Sequence, residues 1–551
     1  MNLLPIRKEG PFMKKKPHII IFNPDEMRAD SLAHLGRNNA AQTPFLDEFA
    51  MSDAVSFQNA YCQNTVCVPS RCSFFTGLYP HVNGHRTMQH LLRSHESSLF
   101  SELKEAGYYV WMNTRNDLVA GQIPGLMEKH ATEIYYGEDI PRSPGPENKD
   151  FRGQPGDKNY YSHYEGRLLL DENKRHYSSD DGVVDAAIDR ILHPLDDRPL
   201  CLFLGLFYPH TPYAVEEPYF SAIDRSKLPK RATVGSGKPQ MEADLRQLLG
   251  MSSYTEQDWD ELRACYLGMC MKVDAQFKRL CDGLKRAGIY DDCAIFFLSD
   301  HGDYAGDYDL TEKSQNTFED CLTKVPLLIK PPKSEEIDPG VSDSLVELVD
   351  FYATVMDYAD VEPDYDHFGQ SLRPILENRG KELREYVFCE GGRMPWETQA
   401  DEYHPNAGSS GKIPEFSMYW PRQTAQLDAD AHCKGTMIRN HSYKYIHRSN
   451  GKHEFYDLQV DQLEEHNVYG DAKYEEQVVK LRLSLLDWYQ QTCDIVPRDI
   501  DKRFTDRMTW AMIKPDCPPE LEEKVWEMIR DGKGMVQIKA QLSNMQTDRN
   551  N

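Results

Sequence analysis

Short apolar runs, each followed at once by charged or polar residues, constrain this chain more than anything else in it. His18-Ile19-Ile20-Ile21-Phe22 leads to Asp25 and Glu26, Leu200 to Phe207 leads to His210, and Ala294 to Leu298 leads to Asp300 and His301. The run from Leu200 is apolar on both faces, as a central strand of a parallel sheet must be. Between the runs lie amphipathic segments. Leu99 to Ala106 is a helix closed by Gly107, and Thr43 with Pro44 reads as a cap and first turn. Thr255 opens a long helix, with Asp258 completing a capping box. Its residues Leu262, Cys265, Met269, Val273, Phe277, Leu280 and Leu284 fall at helical spacing, a core stripe without chemistry of its own. Tyr108 to Met112 and Val325 to Ile329 are further strands. This alternation predicts an α/β domain with helices flanking a large sheet. Ligands of open parallel sheets bind at the carboxyl ends of the strands, so the polar groups after the runs are expected along one edge.

After about Leu376 the pattern changes. Cys389 to Gly411, rich in Gly, Pro and charge, reads as an irregular loop. Thr436 to His447 and His453 to Leu458 read as strands of an antiparallel sheet, followed by a helix near Tyr474 to Gln491. The expected organisation is a disordered leader over 1–16, the main domain over 17–376, a smaller α+β subdomain over 377–496 and an extension over 497–551. That extension carries one helix, Pro519 to Ile529, against which a second subunit has room to dock.

Charge and composition exclude several classes. The formal charge is −25, and the longest basic run is Lys14 to Lys16, so nucleic acid and anionic membranes are poor partners. No stretch approaches the length of a membrane span, and the apolar run at His18 is too short for a signal-peptide core. Thirteen cysteines, an odd number without paired spacing, read as reduced thiols of a cytoplasmic protein. Cys62, Cys67 and Cys72 stand five residues apart, which does not match zinc-knuckle spacing.

The run Cys67-Val68-Pro69-Ser70-Arg71-Cys72-Ser73-Phe74-Phe75-Thr76-Gly77 is the sharpest local signal. Pro69 suits a first helical turn, since it brings no amide hydrogen. A helix start offers free N–H donors and partial positive charge, and Arg71 adds a full charge. A thiol there sits in a field expected to favour an anion, its own thiolate or a bound oxyanion.

This run resembles the signature of the sulfatase family, Cys-x-Pro-Ser-Arg followed by Thr-Gly, with Phe75 where leucine is usual. Asn23-Pro24-Asp25-Glu26 resembles the family's opening segment, and Ser299-Asp300-His301-Gly302-Asp303 its later metal segment. The resemblance covers Lys16 to Pro331 and, more loosely, Met437 to Leu458. It implies an alkaline-phosphatase-like fold: a large mixed sheet flanked by helices, with a smaller C-terminal subdomain on an antiparallel sheet. It further implies that Cys67 is converted by a maturing enzyme to formylglycine, whose hydrated aldehyde is the nucleophile. A divalent metal would be held by Asp25, Glu26, Cys67, Asp300 and His301. Calcium is expected first, with magnesium or manganese as alternatives. Glu26 departs from the usual aspartate.

Carried over in the same way, Arg71, His210 in Tyr208-Pro209-His210-Thr211-Pro212, and Lys313 are catalytic residues. Arg115 and Asp117 stand where the family usually has a Lys-x-His pair, and Tyr308 where many relatives have histidine. Arg393, Trp396 and His404, with Tyr419 and Trp420, fall in the irregular segment and are candidates for contacting a small sulfated sugar. The implied activity is hydrolysis of a sulfate monoester, in a cytoplasmic, prokaryotic setting. The alternatives are a phosphonate monoester or phosphodiester hydrolase of the same superfamily, and a non-catalytic binder in which Cys67 stays a thiol.

Overall fold

The computed structural model describes residues 15–399, 413–498 and 503–550. The chain divides into two compact units, one running to Pro363 and again over His367–Ile495, the other comprising Asp364–Asp366 and Val496 onward.

In the first unit, strands β1 (His18–Asp25), β2 (Val55–Tyr61), β3 (Tyr109–Asn113) and β4 (Glu133–Tyr135) come first. Strands β5 (Tyr164–Leu168) and β7 (Tyr213–Glu216) pair with each other as a separate ribbon, with β6 (Leu200–Pro209) between them in the chain. Strands β8 (Cys293–Leu298), β9 (Leu327–Lys330) and β10 (Gly340–Glu347) complete a mixed sheet of eight in the order β10-β2-β9-β8-β1-β6-β3-β4. Strand β9 runs antiparallel to both its neighbours, β2 and β8. All the other pairings are parallel. Strands β1, β2, β3, β6 and β8 therefore release their carboxyl ends at one edge, and Asp25, the loop to Cys67, Arg115, His210 and Asp300 all issue there. The antiparallel entry of β9 carries the 311–324 segment to that same edge, a placement its apolar sequence did not reveal.

The long helix Glu256–Arg286 starts on the expected box, the Thr255 hydroxyl accepting from Asp258 N–H and the Asp258 carboxylate from Thr255 N–H. Its whole apolar stripe is buried. Phe277 from that stripe packs edge-on against Phe22 and Phe297, centroids 5.1 Å apart in each case, which fixes the helix over β1 and β8. A large apolar area is thereby removed from water behind the functional edge.

The Cys67 helix (Cys67–Thr76) lies wholly buried in the core. Phe75 packs its ring 4.6 Å from Phe100 and 5.2 Å from Phe203, filling with an aromatic the place where the signature usually has leucine. Gly77 caps the helix at φ 69°, and a Cβ there would lie 2.8 Å from the Tyr352 ring. Only glycine meets both conditions.

Strands β11 (Val387–Gly391), β12 (Gly435–Arg439), β13 (Tyr443–Arg448) and β14 (Glu454–Asp457) form the antiparallel sheet, with the helix Glu475–Thr492 in the same unit. The segment expected as one strand, Thr436 to His447, is a hairpin of two, because Asn440 turns the chain by accepting from Ser442 and Tyr443 N–H. Cys389 to Gly391, assigned from sequence to a loop, is the end of β11.

The second unit corrects the expectation of a single helix. It contains Asp506–Ile513, Glu522–Arg530 and Met535–Asn550, and residues from all three bury a small core of Ile513, Leu521, Val525, Met528, Ile529, Ile538 and Leu542. Those apolar residues are too sparse in the sequence for the outer two helices to declare themselves.

Candidate active site

Position 67 is the centre of the edge. Cys67 Sγ lies 3.2 Å from His301 Nε2 and 3.6 Å from Asp25 Oδ1. His301 Nδ1 donates to Gly302 O at 3.0 Å, so Nε2 of the neutral ring faces the thiol as an acceptor. Ligand atoms of Asp25, Cys67, Asp300 and His301 all lie within 4.8 Å of one another, and all four residues are buried.

Arg71 ties this group together from inside its helix. Nε donates to Asp300 Oδ2 at 2.7 Å, Nη2 to Asp25 Oδ2 at 2.8 Å, and Nη1 to the Arg115 carbonyl at 3.1 Å. Arg115 Nη2 meets Asp25 Oδ2 at 2.5 Å, while its guanidinium rests on the Phe207 ring. Burial works against the Asp25 charge, but Arg115 and Arg71 hold its carboxyl well below the usual range. Both arginines use Oδ2, which leaves Oδ1 directed at Cys67 and His301. Two carboxylates and an imidazole, with the position-67 side chain beside them, make a donor set that fits a divalent cation.

The Cys67 thiol itself is not a thiolate. Burial, then the Asp25 carboxylate, push it well above its ordinary range, and Lys313 opposes them only in part. The anion-favouring field expected from the helix start and Arg71 is spent on Asp25 and Asp300.

Glu26 and Lys313 form the second half of the site. Glu26 follows β1 at φ 67°. Its Oε2 accepts from Lys313 Nζ at 2.9 Å and lies 3.5 Å from His210 Nε2. Of the five ligands the resemblance implied, four cluster around position 67, while Glu26 groups instead with Asp25 and His210.

Lys313 Nζ also donates to Glu312 Oε1 and to His210 Nε2, each at 3.0 Å. His210 Nδ1 donates to Thr211 O at 2.7 Å, so Nε2 is free to accept. Burial disfavours the Lys313 charge, yet Glu26 and Glu312 carry its pKa well above the usual range. Burial and Lys313 together press His210 well below its own, so the pair is an ammonium beside a neutral imidazole. Asp117, also at positive φ, is a third exposed and reaches Arg71 Nη1 at 3.5 Å.

Three positions of the site carried no sequence signal. Asp180 accepts from Phe207 and Tyr208 N–H at 2.8 and 2.9 Å and so fixes the end of β6 that presents His210. Glu312 joins Lys313, and Arg422, on the helix Trp420–Gln426, is paired with Glu312. Arg422 lies 110 residues from Glu312, and nothing local marks it.

Arg393 is buried and donates to the carbonyls of Glu397 and Gln426, so it serves as a strut for its own loop. Trp396 is 78% exposed. His404 lies outside the described residues. Tyr308, in the place of a histidine, is buried and donates to Leu463 O.

A family model described as Sulfatase matches residues 17–361. The chain belongs to the sulfatase family. It is an enzyme of the sulfuric ester hydrolase class. The sulfatase match spans β1 to β10 and every catalytic and metal candidate named above. A similar relative is the N-acetylglucosamine-6-O-sulfatase of Bacteroides thetaiotaomicron, 23% identical over 552 residues that cover 88% of each chain. Among solved structures, the phosphonate monoester hydrolase of Agrobacterium radiobacter superposes with a TM-score of 0.67 at 21% identity, covering 87% of this chain and 96% of that one. BT4656, solved with its substrate D-glucosamine-2-N,6-O-disulfate, gives 0.64 at 20% identity over 87% and 98%. At these identities the two structures establish the shared fold. No helix among the described residues is long and apolar enough to cross a membrane.

Proposed function

We propose that this sulfatase hydrolyses a sulfate monoester of a small carbohydrate, with position 67 acting as formylglycine beside a divalent cation, calcium first. The observation that carries the reading is the convergence on one buried atom: Cys67 Sγ within 3.6 Å of both His301 and Asp25, backed by Arg71. Spontaneous hydrolysis of such esters is so slow that the site must lower the barrier by on the order of 20 kcal/mol.

Asp25, Asp300, His301 and the residue-67 side chain would hold the cation, which would draw charge from the sulfate oxygens and acidify the neighbouring hydroxyl. Formylglycine would supply two hydroxyls on one carbon, one to attack sulfur and the other to expel sulfate and restore the aldehyde. Arg71 orients position 67 through its fixed bonds to Asp25 and Asp300. Arg115 offers a second cation to the sulfate oxygens, stabilising charge that grows as the ester bond breaks. Lys313 and His210, already sharing a hydrogen bond, are placed to give the leaving alcohol its proton. Asp117 is the candidate to take the proton from position 67.

Conversion of Cys67 requires a maturing enzyme as partner. The thirteen cysteines are all free, which supports a reducing, cytoplasmic setting. Mass analysis of the Cys67 peptide from a host with that enzyme, paired with sulfate-ester turnover by wild type and Cys67→Ala, tests the reading. A thiol at position 67 in fully active protein ends it. Arg115 and Asp117 in place of a Lys-x-His pair favour a second reading, a phosphonate monoester or phosphodiester hydrolase. Parallel rates on 4-nitrophenyl sulfate and a 4-nitrophenyl phosphodiester separate the two.

A further inference from the structure

Lys313 spends all three of its N–H donors inside the protein. Nζ donates to Glu26 Oε2 at 2.9 Å, and to Glu312 Oε1 and His210 Nε2 at 3.0 Å each. The two carboxylates fix two of the three donor directions, and the third meets the neutral His210 ring. Glu26 also belongs to the group around Asp25. Glu312 has no part in the hydrolytic steps, yet it is buried against the lysine that serves them.

Three constraints build that contact. Consecutive side chains of an extended chain point to opposite sides, so neighbours do not ordinarily meet. Glu312 stands at φ 63°, and this left-handed turn brings its carboxylate round to the ammonium of the next residue. Such a backbone persists only where the surroundings over-determine it. The Tyr213 hydroxyl accepts from Glu312 N–H at 2.8 Å and is itself anchored on Asp303 Oδ1 at 2.6 Å, while Glu312 O accepts from Tyr304 N–H at 2.9 Å. The third constraint is Arg422, which comes 110 residues later on the helix Trp420–Gln426. Its Nη1 donates to Glu312 Oε2, leaving Oε1 for Lys313. Burial works against the Glu312 charge, but Arg422 first and Lys313 next hold its carboxyl well below the usual range. Arg422 in turn rests on Tyr419, 5.6 Å from the ring centroid.

Resting on the sulfatase reading, we infer that Arg422 and Glu312 are positioning residues for proton delivery: Arg422 anchors Glu312, and Glu312 holds Lys313 Nζ where the leaving oxygen can take its proton. As the S–O bond breaks, its electron pair stays on the alcohol oxygen. That oxygen takes one proton from Lys313 Nζ, the one otherwise shared with His210, and water later reprotonates the amine. A proton donor must stay within hydrogen-bond reach of the atom it serves, about 2.6–3.2 Å. A lysine arm has four rotatable carbons, so one carboxylate alone would leave it free to pivot. The second carboxylate removes that freedom, and the guanidinium behind it offsets the negative charge this brings close to an anionic ester.

The test measures kcat and KM for wild type, Glu312→Gln and Arg422→Met on phenyl sulfate and 4-nitrophenyl sulfate, two esters of similar shape. Phenolate is the stronger base and needs the proton as it leaves, whereas 4-nitrophenolate leaves well without it. A glutamine has one acceptor oxygen and cannot serve both Lys313 and Arg422 as the carboxylate does. In both variants kcat on phenyl sulfate should fall about 10- to 100-fold more than on 4-nitrophenyl sulfate, a part of what a general acid supplies. A merely structural pair, or repulsion of the sulfate by an unpaired Glu312, would depress both esters alike. On monosaccharide 6-sulfates, whose leaving oxygen is more basic still, the fall in kcat should be at least as large, and that arm decides alone if the aryl esters are not turned over. Glu312→Gln, which keeps shape, carries the test if Arg422→Met does not fold. Equal losses on both aryl esters, a change confined to KM, or undiminished kcat overturns this inference and leaves the sulfatase reading intact. Absence of turnover on every sulfate by protein with converted Cys67 overturns the reading and the inference together.

Discussion

Gly205 sits in the middle of β6, yet its effect is felt at Arg115, the arginine proposed to meet the sulfate. A Cβ built on it would lie 2.1 Å from the Arg115 carbonyl oxygen and 3.1 Å from the Phe203 ring. Real Cβ atoms essentially never approach closer than 3.0 Å, so Gly205→Ala must push the Arg115 turn outward by roughly 1 Å. Asn113, the last residue of β3 and two before Arg115, bonds both the N–H and the carbonyl of Gly205 at 2.9 and 2.8 Å, so the strand and the Arg115 turn are tied together. The Arg115 carbonyl accepts from Arg71 Nη1, and its guanidinium holds Asp25, so the displacement reaches both partners. Overpacking of this kind costs about 1–3 kcal/mol of stability. A shift of about 1 Å in a positioning group costs about 100-fold in rate. Urea unfolding and kcat on a sulfate ester, measured on the same Gly205→Ala protein, should show both losses. A stability loss with undiminished kcat would refute the claim that Gly205 makes room for Arg115.

Phe75→Leu, which restores the residue usual in the signature, should cost about 1–2 kcal/mol through lost contact with Phe100 and Phe203, with kcat nearly unchanged, as denaturant titration and steady-state kinetics would show. His130, buried beside the Ser98 hydroxyl that caps the helix Leu99–Glu105, is lowered to about 4, chiefly by burial. Its folded pKa lies below the unfolded value of about 6.5, so the unfolded chain binds the extra proton first and stability falls as pH drops from about 6.5 toward 4. The loss at pH 5 is about 2 kcal/mol, and His130→Asn should remove that part of the difference between unfolding curves at pH 7 and pH 5. Chelation should abolish turnover and lower Tm, because a cation bound only by the folded protein adds its binding energy to stability; Asp25→Asn should show no further fall in Tm on chelation.

The Cys67 segment and the candidate metal ligands were legible because each is a contiguous string at a strand end or helix start. Asp25, Asp300 and His301 follow apolar runs that could only be buried strands, and Cys67 opens a helix announced by Pro69 and Gly77. The Thr255–Asp258 box fixed the start of the long helix for the same local reason. Glu26 was legible as a candidate ligand, and it does group with Asp25 and His210. Its bond to Lys313, a partner 287 residues away, was not.

Glu312, Arg422 and Asp180 were beyond reach for a single physical reason: each pairs with a residue distant in sequence, and no spacing rule reports such pairs. The same holds for the antiparallel course of β9, which only sheet order reveals, and for the C-terminal helices, whose core is assembled from sparse apolar residues of three segments. Local covalent pattern thus determined which chemistry position 67 can host. Long-range packing, which sets buried charge against buried charge, decided which side chains surround it.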